Sequence, residues 1–179
     1  MKLVLIGVQG AGKSTHGNVL AEAYNVPYLS SGHIFREMTK EKTAVGRLLK
    51  ETLNSGLLVS DEMTLDVIRE YLAKPEYVNG YILDGFPRTV PQAEAYADVA
   101  DKVIFLQISD KEALWRIAGR GCSDRQDETL QAVRKRIELF HEKTAPVVDY
   151  YRERGILIEV DADKSIDEVY ADIVEAIEK

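Results

Sequence analysis

The chain has 179 residues, 45% hydrophobic and 30% charged, a length and balance that fit one soluble domain with a packed core. A formal net charge of −7 argues against a broad nucleic-acid or anionic-membrane surface, and a single cysteine, Cys122, excludes an intrachain disulfide and any multi-cysteine zinc site. The apolar start "KLVLIGV" is too short to span a membrane and lacks a signal-peptide cleavage pattern, so a cytosolic protein is expected.

In chain order, residues 2–6 read as a short buried strand and 13–24 as a helix with Val19, Leu20 and Ala23 on one face. "VPYLS" (26–30) reads as a second strand, Pro27 suiting its first positions. Residues 33–73 read as helical in two or three pieces, punctuated by Gly46 and Gly56, with Ser60 or Asp61 capping the last. "YILDG" (81–85) and "KVIFLQIS" (102–109) are further buried strands, the second followed by the capping box Ser109…Glu112. A long helical stretch from about 128 to 152 contains Pro146, which should kink or break it. "GILIEVDA" (155–162) is the last strand, and Ser165…Glu168 opens the final helix.

Apolar strands alternating with helices imply a parallel sheet covered on both faces, with ligands bound beyond the carboxyl ends of the strands. The chemically informative segments, 7–15, 30–36 and 84–92, all follow predicted strands. In "GVQGAGKST", Gly7, Gly12, Lys13 and Ser14 satisfy G-x-x-x-x-G-K-[ST], with a strand before and a helix after. Glycines let successive backbone N–H groups converge on an anion, and the helix N-terminus points its positive end at the same place. Lys13 supplies a point charge for the β- and γ-phosphates, the Ser14 hydroxyl can reach Mg²⁺, and Thr15 adds a donor. A glycine-rich turn alone would not require a lysine between a glycine and two hydroxyls.

"LDGFPRT" (83–89) carries Asp84, placed to orient Mg²⁺-bound water, and Arg88, whose planar fork suits a second phosphate. Arg116, Arg120, Arg125, Arg134 and Arg136 form a second basic set in an acidic chain; Arg120 and Arg125 bracket a short polar segment that reads as a loop tip. Arginines carried over a phosphate chain by such a loop would exclude water and stabilise charge on a transferring group.

The blocks "GVQGAGKST", "YLSSGHIFR", "SGLLVSDE", "ILDGFPRTVPQAE", "WRIAGR", "RQDETLQAVRKRIELFHEKTAPVVDYY" and "VDADKSIDEV" resemble, over nearly the whole chain, the adenylate kinase family of nucleoside monophosphate kinases. The resemblance implies an α/β, three-layer P-loop fold with a parallel five-stranded sheet and helices on both faces. It implies reversible phosphoryl transfer from ATP-Mg²⁺ to a monophosphate, AMP being favoured; the acidic charge predicts no nucleic-acid or membrane partner, and the lack of an obvious exposed apolar stripe predicts a monomer. Three parts are expected: a core (1–29, 60–118 and 128–179), a monophosphate-binding helical flap near 30–59, and a lid near 119–127, of the short type that lacks zinc cysteines. Ser31, Arg36, Leu57, Val59, Gly85, Arg88 and Gln92 would hold AMP, Gln92 at an adenine edge. Gly10, Ala11, Gly12, Lys13, Ser14 and Thr15 would hold ATP, with Arg120 stacked on its adenine and Lys164 meeting that base through its backbone. Arg125 and Arg136 would bridge toward the transferred group. Catalysis would fall to Lys13, Arg88, Arg125 and Arg136, while Ser14 and, through water, Asp84 serve the metal.

The sequence departs from the family pattern at several points: Gln9 for Pro, Ser14 for Gly, His16 for Gln, His33 for Asp, and Ser31 for the Thr of adenylate kinases or the Ala of UMP/CMP kinases. A UMP/CMP-type kinase therefore stays open, as does a nucleotide-dependent switch or accessory factor that hydrolyses ATP slowly. Trp115 is expected to pack a helix against the core, Phe86 to wedge its turn, Tyr150 and Tyr151 to pack, and His141 and Cys122 to have no chemical role.

Overall fold

In a computed structural model the chain is described over residues 1–119 and 129–178. Five strands, β1 (Lys2–Ile6), β2 (Tyr28–Ser30), β3 (Tyr81–Asp84), β4 (Lys102–Gln107) and β5 (Leu157–Asp161), pair in parallel in the order β2-β3-β1-β4-β5. Every residue of β3 is buried, as both faces of a parallel sheet must be. Alternate side chains divide the core in two. Leu3 and Leu5 join Leu20, Ile104 and Ile173 on one face, whereas Val4 and Ile6 join Leu83, Val103 and Tyr151 on the other.

The helices are α1 (Lys13–Ala23), α2 (Ser31–Met38), α3 (Ala44–Asn54), α4 (Asp61–Leu72), α5 (Val90–Ala95), α6 (Asp110–Ala118), α7 (Leu130–Leu139), α8 (Ala145–Glu153) and α9 (Ile166–Glu178). Hydroxyl caps set most of their starts: Ser30, Thr43, Ser60, Thr89, Ser109 and Thr129 each accept a backbone N–H from the first turn. Ser60, rather than Asp61, is therefore the cap of α4. At the start of α9 the capping box closes both ways, Glu168 accepting from the Ser165 N–H at 3.0 Å. Before α6 it closes one way only, because the Glu112 carboxylate turns to Arg116 Nε at 2.6 Å.

Three expectations change, and the break expected at Pro146 takes a specific form. Gly56, at φ +72°, does end α3, but Gly46 lies inside that helix; a Cβ there would stand 2.3 Å from the Glu41 carbonyl oxygen. The buried face of α1 consists of His16, Gly17 and Leu20, while Val19 is 39% exposed. Trp115 is not a core residue: it projects from α6 with 72% of its surface exposed. The break near Pro146 is a π turn, Phe140–Thr144, with the proline seated in the first turn of α8, where its missing N–H costs nothing. Phe86 and Tyr151 are fully buried, and Tyr150 reaches the Ala93 carbonyl. Among the described residues, no helix is long and apolar enough to cross a membrane.

Candidate active site

The strand register aligns the carboxyl ends of the central strands: Leu5 pairs with Asp84, and Asp84 with Ser30. A cavity of about 310 Å³ opens there. Its first wall is the loop after β1. Gly10 and Gly12 take φ +97° and +88°, backbone that other residues rarely adopt. Gly10 also lies against α6, where a Cβ would stand 2.7 Å from the Ala113 carbonyl oxygen. Lys13 Nζ donates to the carbonyls of Gly7 at 2.8 Å and Val8 at 3.0 Å, so its ammonium is tied across the loop that precedes it. Gly10, Gly12, Lys13 and Ser14 line the cavity; Ala11 is fully buried behind it and Thr15 faces solvent.

Arginines make the opposite wall. Arg36 comes from α2, Arg88 from the turn after β3 and Arg136 from α7. Arg88 is held on three sides: its Nε donates to the Gly85 carbonyl at 2.9 Å, its N–H to Gln92 Oε1 at 2.8 Å, and its own carbonyl accepts from Thr144 Oγ1 at 2.9 Å. Arg136 links the loop to α3, donating to Gln9 Oε1 at 3.3 Å and to the Leu53 carbonyl at 2.9 Å. Burial pushes the Arg88 guanidinium below its ordinary value; the Asp84 charge opposes that push, while Arg136 and Arg36 add to it. Asp84 is the only acid on the cavity wall among the described residues, against Lys13 and these arginines. A net-negative chain thus focuses positive charge at one point.

Asp84 itself is 8% exposed; its Oδ2 accepts from the Tyr28 hydroxyl at 2.8 Å, and its Oδ1 is buried without a partner among the described residues. An orphaned carboxylate oxygen on the same wall as the Ser14 hydroxyl is a donor set that suits a hydrated Mg²⁺. His33, on the same wall, adds no carboxylate.

The other expected residues fall in different places. Leu57 and Gly85 line the cavity. Ser31 is buried beside it and donates to the Gly85 carbonyl at 2.8 Å, while Val59 is not on its wall. The Gln92 amide is engaged away from the cavity, its Nε2 donating to Asp61 Oδ1 at 2.8 Å and its Oε1 receiving Arg88. Lys164 lies at the surface after β5, with Nζ 2.7 Å from Asp172. Arg120, Cys122 and Arg125 lie outside the described residues.

Sequence reasoning missed Tyr28 and Thr144, and gave Arg116 no role. Arg116 donates to the Ala162 carbonyl at 2.9 Å, tying α6 to the turn that carries Lys164. It also faces His16, whose pKa is lowered by burial first and by Arg116 second.

A glycine-bent loop running into a helix N-terminus, facing guanidinium groups across a strand-end cavity, is the arrangement of a P-loop phosphotransferase. A sequence model of the family described as adenylate kinase matches residues 5–156. An adenylate kinase of Methanocella arvoryzae is 36% identical, the match covering 100% of this chain and 99% of the relative. Another from Lachnoclostridium phytofermentans is 36% identical (97% and 96% covered), and one from Caldicellulosiruptor bescii is 32% identical (99% of each). The chain belongs to the adenylate kinase family and is a phosphotransferase.

Proposed function

We propose that the chain transfers the γ-phosphoryl group of ATP reversibly to AMP, with Mg²⁺, giving two ADP. The observation that carries this is the single cavity bounded on one side by Gly10, Gly12, Lys13 and Ser14 and on the other by Arg36, Arg88 and Arg136. An AMP phosphate oxygen held by the arginines attacks the γ-phosphorus of a donor held by the loop. The new P–O bond forms as the bond to the β–γ bridging oxygen breaks, and ADP leaves. Such transfer needs positioning and charge neutralisation more than covalent help.

Lys13 holds the β- and γ-phosphates, leaving the Gly7 and Val8 carbonyls as it turns outward. Bound Mg²⁺ would neutralise charge on the same oxygens, with Ser14 and, through water, Asp84 as its protein contacts. Arg88, Arg136 and Arg125 neutralise the transferring group. Ser31, Arg36, Leu57, Val59, Gly85 and Gln92 form the AMP side; for Gln92 to meet a base edge, its amide must exchange its bond to Asp61 or Arg88. Arg120 and Lys164 form the donor-base side. We further propose a flap near 30–59 that closes on the acceptor and a short lid near 119–127 over the donor. A monomer in the cytoplasm completes the proposal, consistent with the acidic charge and lone cysteine.

One coupled assay tests it. ATP and Mg²⁺ are mixed in turn with AMP, UMP, CMP and dTMP, and AMP should give the fastest ADP formation. Faster turnover with UMP or CMP replaces AMP as the acceptor. ATP hydrolysis indifferent to every monophosphate removes the kinase reading.

A further inference from the structure

Tyr28 belongs to β2, and its ring lies on the face of the sheet that α1 covers. Register places Tyr28 opposite Ile82 and Ser30 opposite Asp84, so Tyr28 and Asp84 project to the same face, two positions apart along the strands. The phenol bridges that gap, its hydroxyl donating to Asp84 Oδ2 at 2.8 Å. The bond satisfies one carboxylate oxygen, while Oδ1 stays buried and unpartnered among the described residues, and Asp84 lines the same cavity as Lys13 and Ser14.

The ring has room because α1 has no side chain beneath it. A Cβ on Gly17 would stand 2.4 Å from Tyr28 Cε2 and 2.9 Å from Cδ2. Gly17 is buried and Leu5 Cδ1 would lie 3.1 Å from the same Cβ, so a methyl group there forces the ring to move.

We propose that Tyr28 is a positioning residue for the cation-binding carboxylate: its hydroxyl fixes Asp84 Oδ2 so that Oδ1 faces the Mg²⁺ water shell, and Gly17 is the glycine that admits the ring. The role acts through Asp84 and has particular weight here, because His33 on the same wall supplies no second carboxylate. It rests on the proposed ATP-Mg²⁺ reaction. Partners that orient a metal-binding group commonly contribute 10–100-fold in metal affinity.

The test is calorimetric titration of ATP into the full chain, with and without Mg²⁺, for the unchanged protein, Tyr28→Phe and Gly17→Ala. The gain in ATP affinity on adding Mg²⁺ should shrink by on the order of tenfold in Tyr28→Phe, with Mg²⁺-free ATP affinity unchanged. Gly17→Ala should shrink it in the same direction. Thermal melting of the ligand-free Tyr28→Phe chain checks folding and should register the lost bond as a lower Tm. A lower Tm with an unchanged Mg²⁺ gain marks a merely structural contact and overturns the proposal; an unchanged gain in Gly17→Ala overturns the part given to Gly17. ADP formation by the unchanged chain is scored separately, so failure of the kinase reading and failure of the Tyr28 assignment give different results.

Discussion

The two walls of the cavity are built by opposite means. The wall after β1 is backbone: Gly10 and Gly12 bend it, α1 aims it, and nine consecutive residues, 7–15, contain nearly all of it. The facing wall is side chain: Arg36, Arg88 and Arg136 come from elements up to a hundred residues apart, Arg88 held by the Gly85 carbonyl and Arg136 by that of Leu53. A backbone cradle is organised before any ligand arrives, and its weakness is steric. A guanidinium cluster is held against its own repulsion and desolvation, and its weakness is electrostatic. The first should fail when an atom is added, the second when a charge is taken away.

The largest effect should come from the one residue that puts charge into the backbone wall. Lys13→Met should lower kcat/KM by about 3–4 kcal/mol of transition-state stabilisation, as loss of other preorganised donors does, read in the ADP-forming assay. Arg88→Ala should cost a similar amount, with KM for AMP also raised. Its ligand-free Tm should stay at or above that of the unchanged chain, because burial and neighbouring arginines already disfavour the charged group. A marked fall in Tm would mean that the arginine wall is organised by its hydrogen bonds rather than strained by its charges. Gly10→Ala breaks the other wall sterically: a positive φ and a 2.7 Å approach to the Ala113 carbonyl should cost ~1–3 kcal/mol of stability, a Tm lower by ~2–4 °C for each kcal/mol. Smaller again is Thr144→Val, which removes the bond to the Arg88 carbonyl while keeping shape. It should cost about 1 kcal/mol, accompanied by a several-fold rise in KM for AMP, and an unchanged KM would show that the Arg88 turn holds itself.

This difference in construction also explains what the sequence made legible. The backbone wall is local, so G-x-x-x-x-G-K-[ST] between an apolar run and a helix reveals it, and the five strands follow from apolar runs bounded by turns. Arg88 was readable because it follows a strand end. Arg136 was placed by family resemblance, since its contacts with Gln9 and Leu53 lie far off in sequence. Thr144 had no local signal: the π turn that turns it toward Arg88 is an extra residue per turn, which helical periodicity does not encode. Tyr28 read as a strand residue and nothing more, because its role depends on register with Asp84 and on a missing side chain at position 17. Trp115 was misplaced for the converse reason: aromatic size argued for burial, but which face of α6 meets the sheet is decided by Ala113 and the close approach of Gly10.

The smallest effect sharpens the contrast at a residue that carries no formal charge in its working state. His16 is 4% exposed at the base of the backbone wall, with Nδ1 buried and unpartnered among the described residues and its ring against Gly12. Burial, then Arg116, lowers its pKa from the ordinary 6.5. The unfolded chain therefore takes up a proton at His16 before the folded chain does. Stability from this group is fully present above the unfolded value, declines as pH falls through about 6.5, and levels off only below the depressed folded value. Ligand-free Tm measured from pH 7.5 down to 5 should drop, and His16→Gln, which cannot titrate, should flatten that drop relative to the unchanged chain. The arginine wall has no counterpart, since guanidinium stays charged throughout that range. If the two Tm profiles run parallel, His16 is not held neutral under the loop, and the backbone wall is as electrostatically exposed as the one it faces.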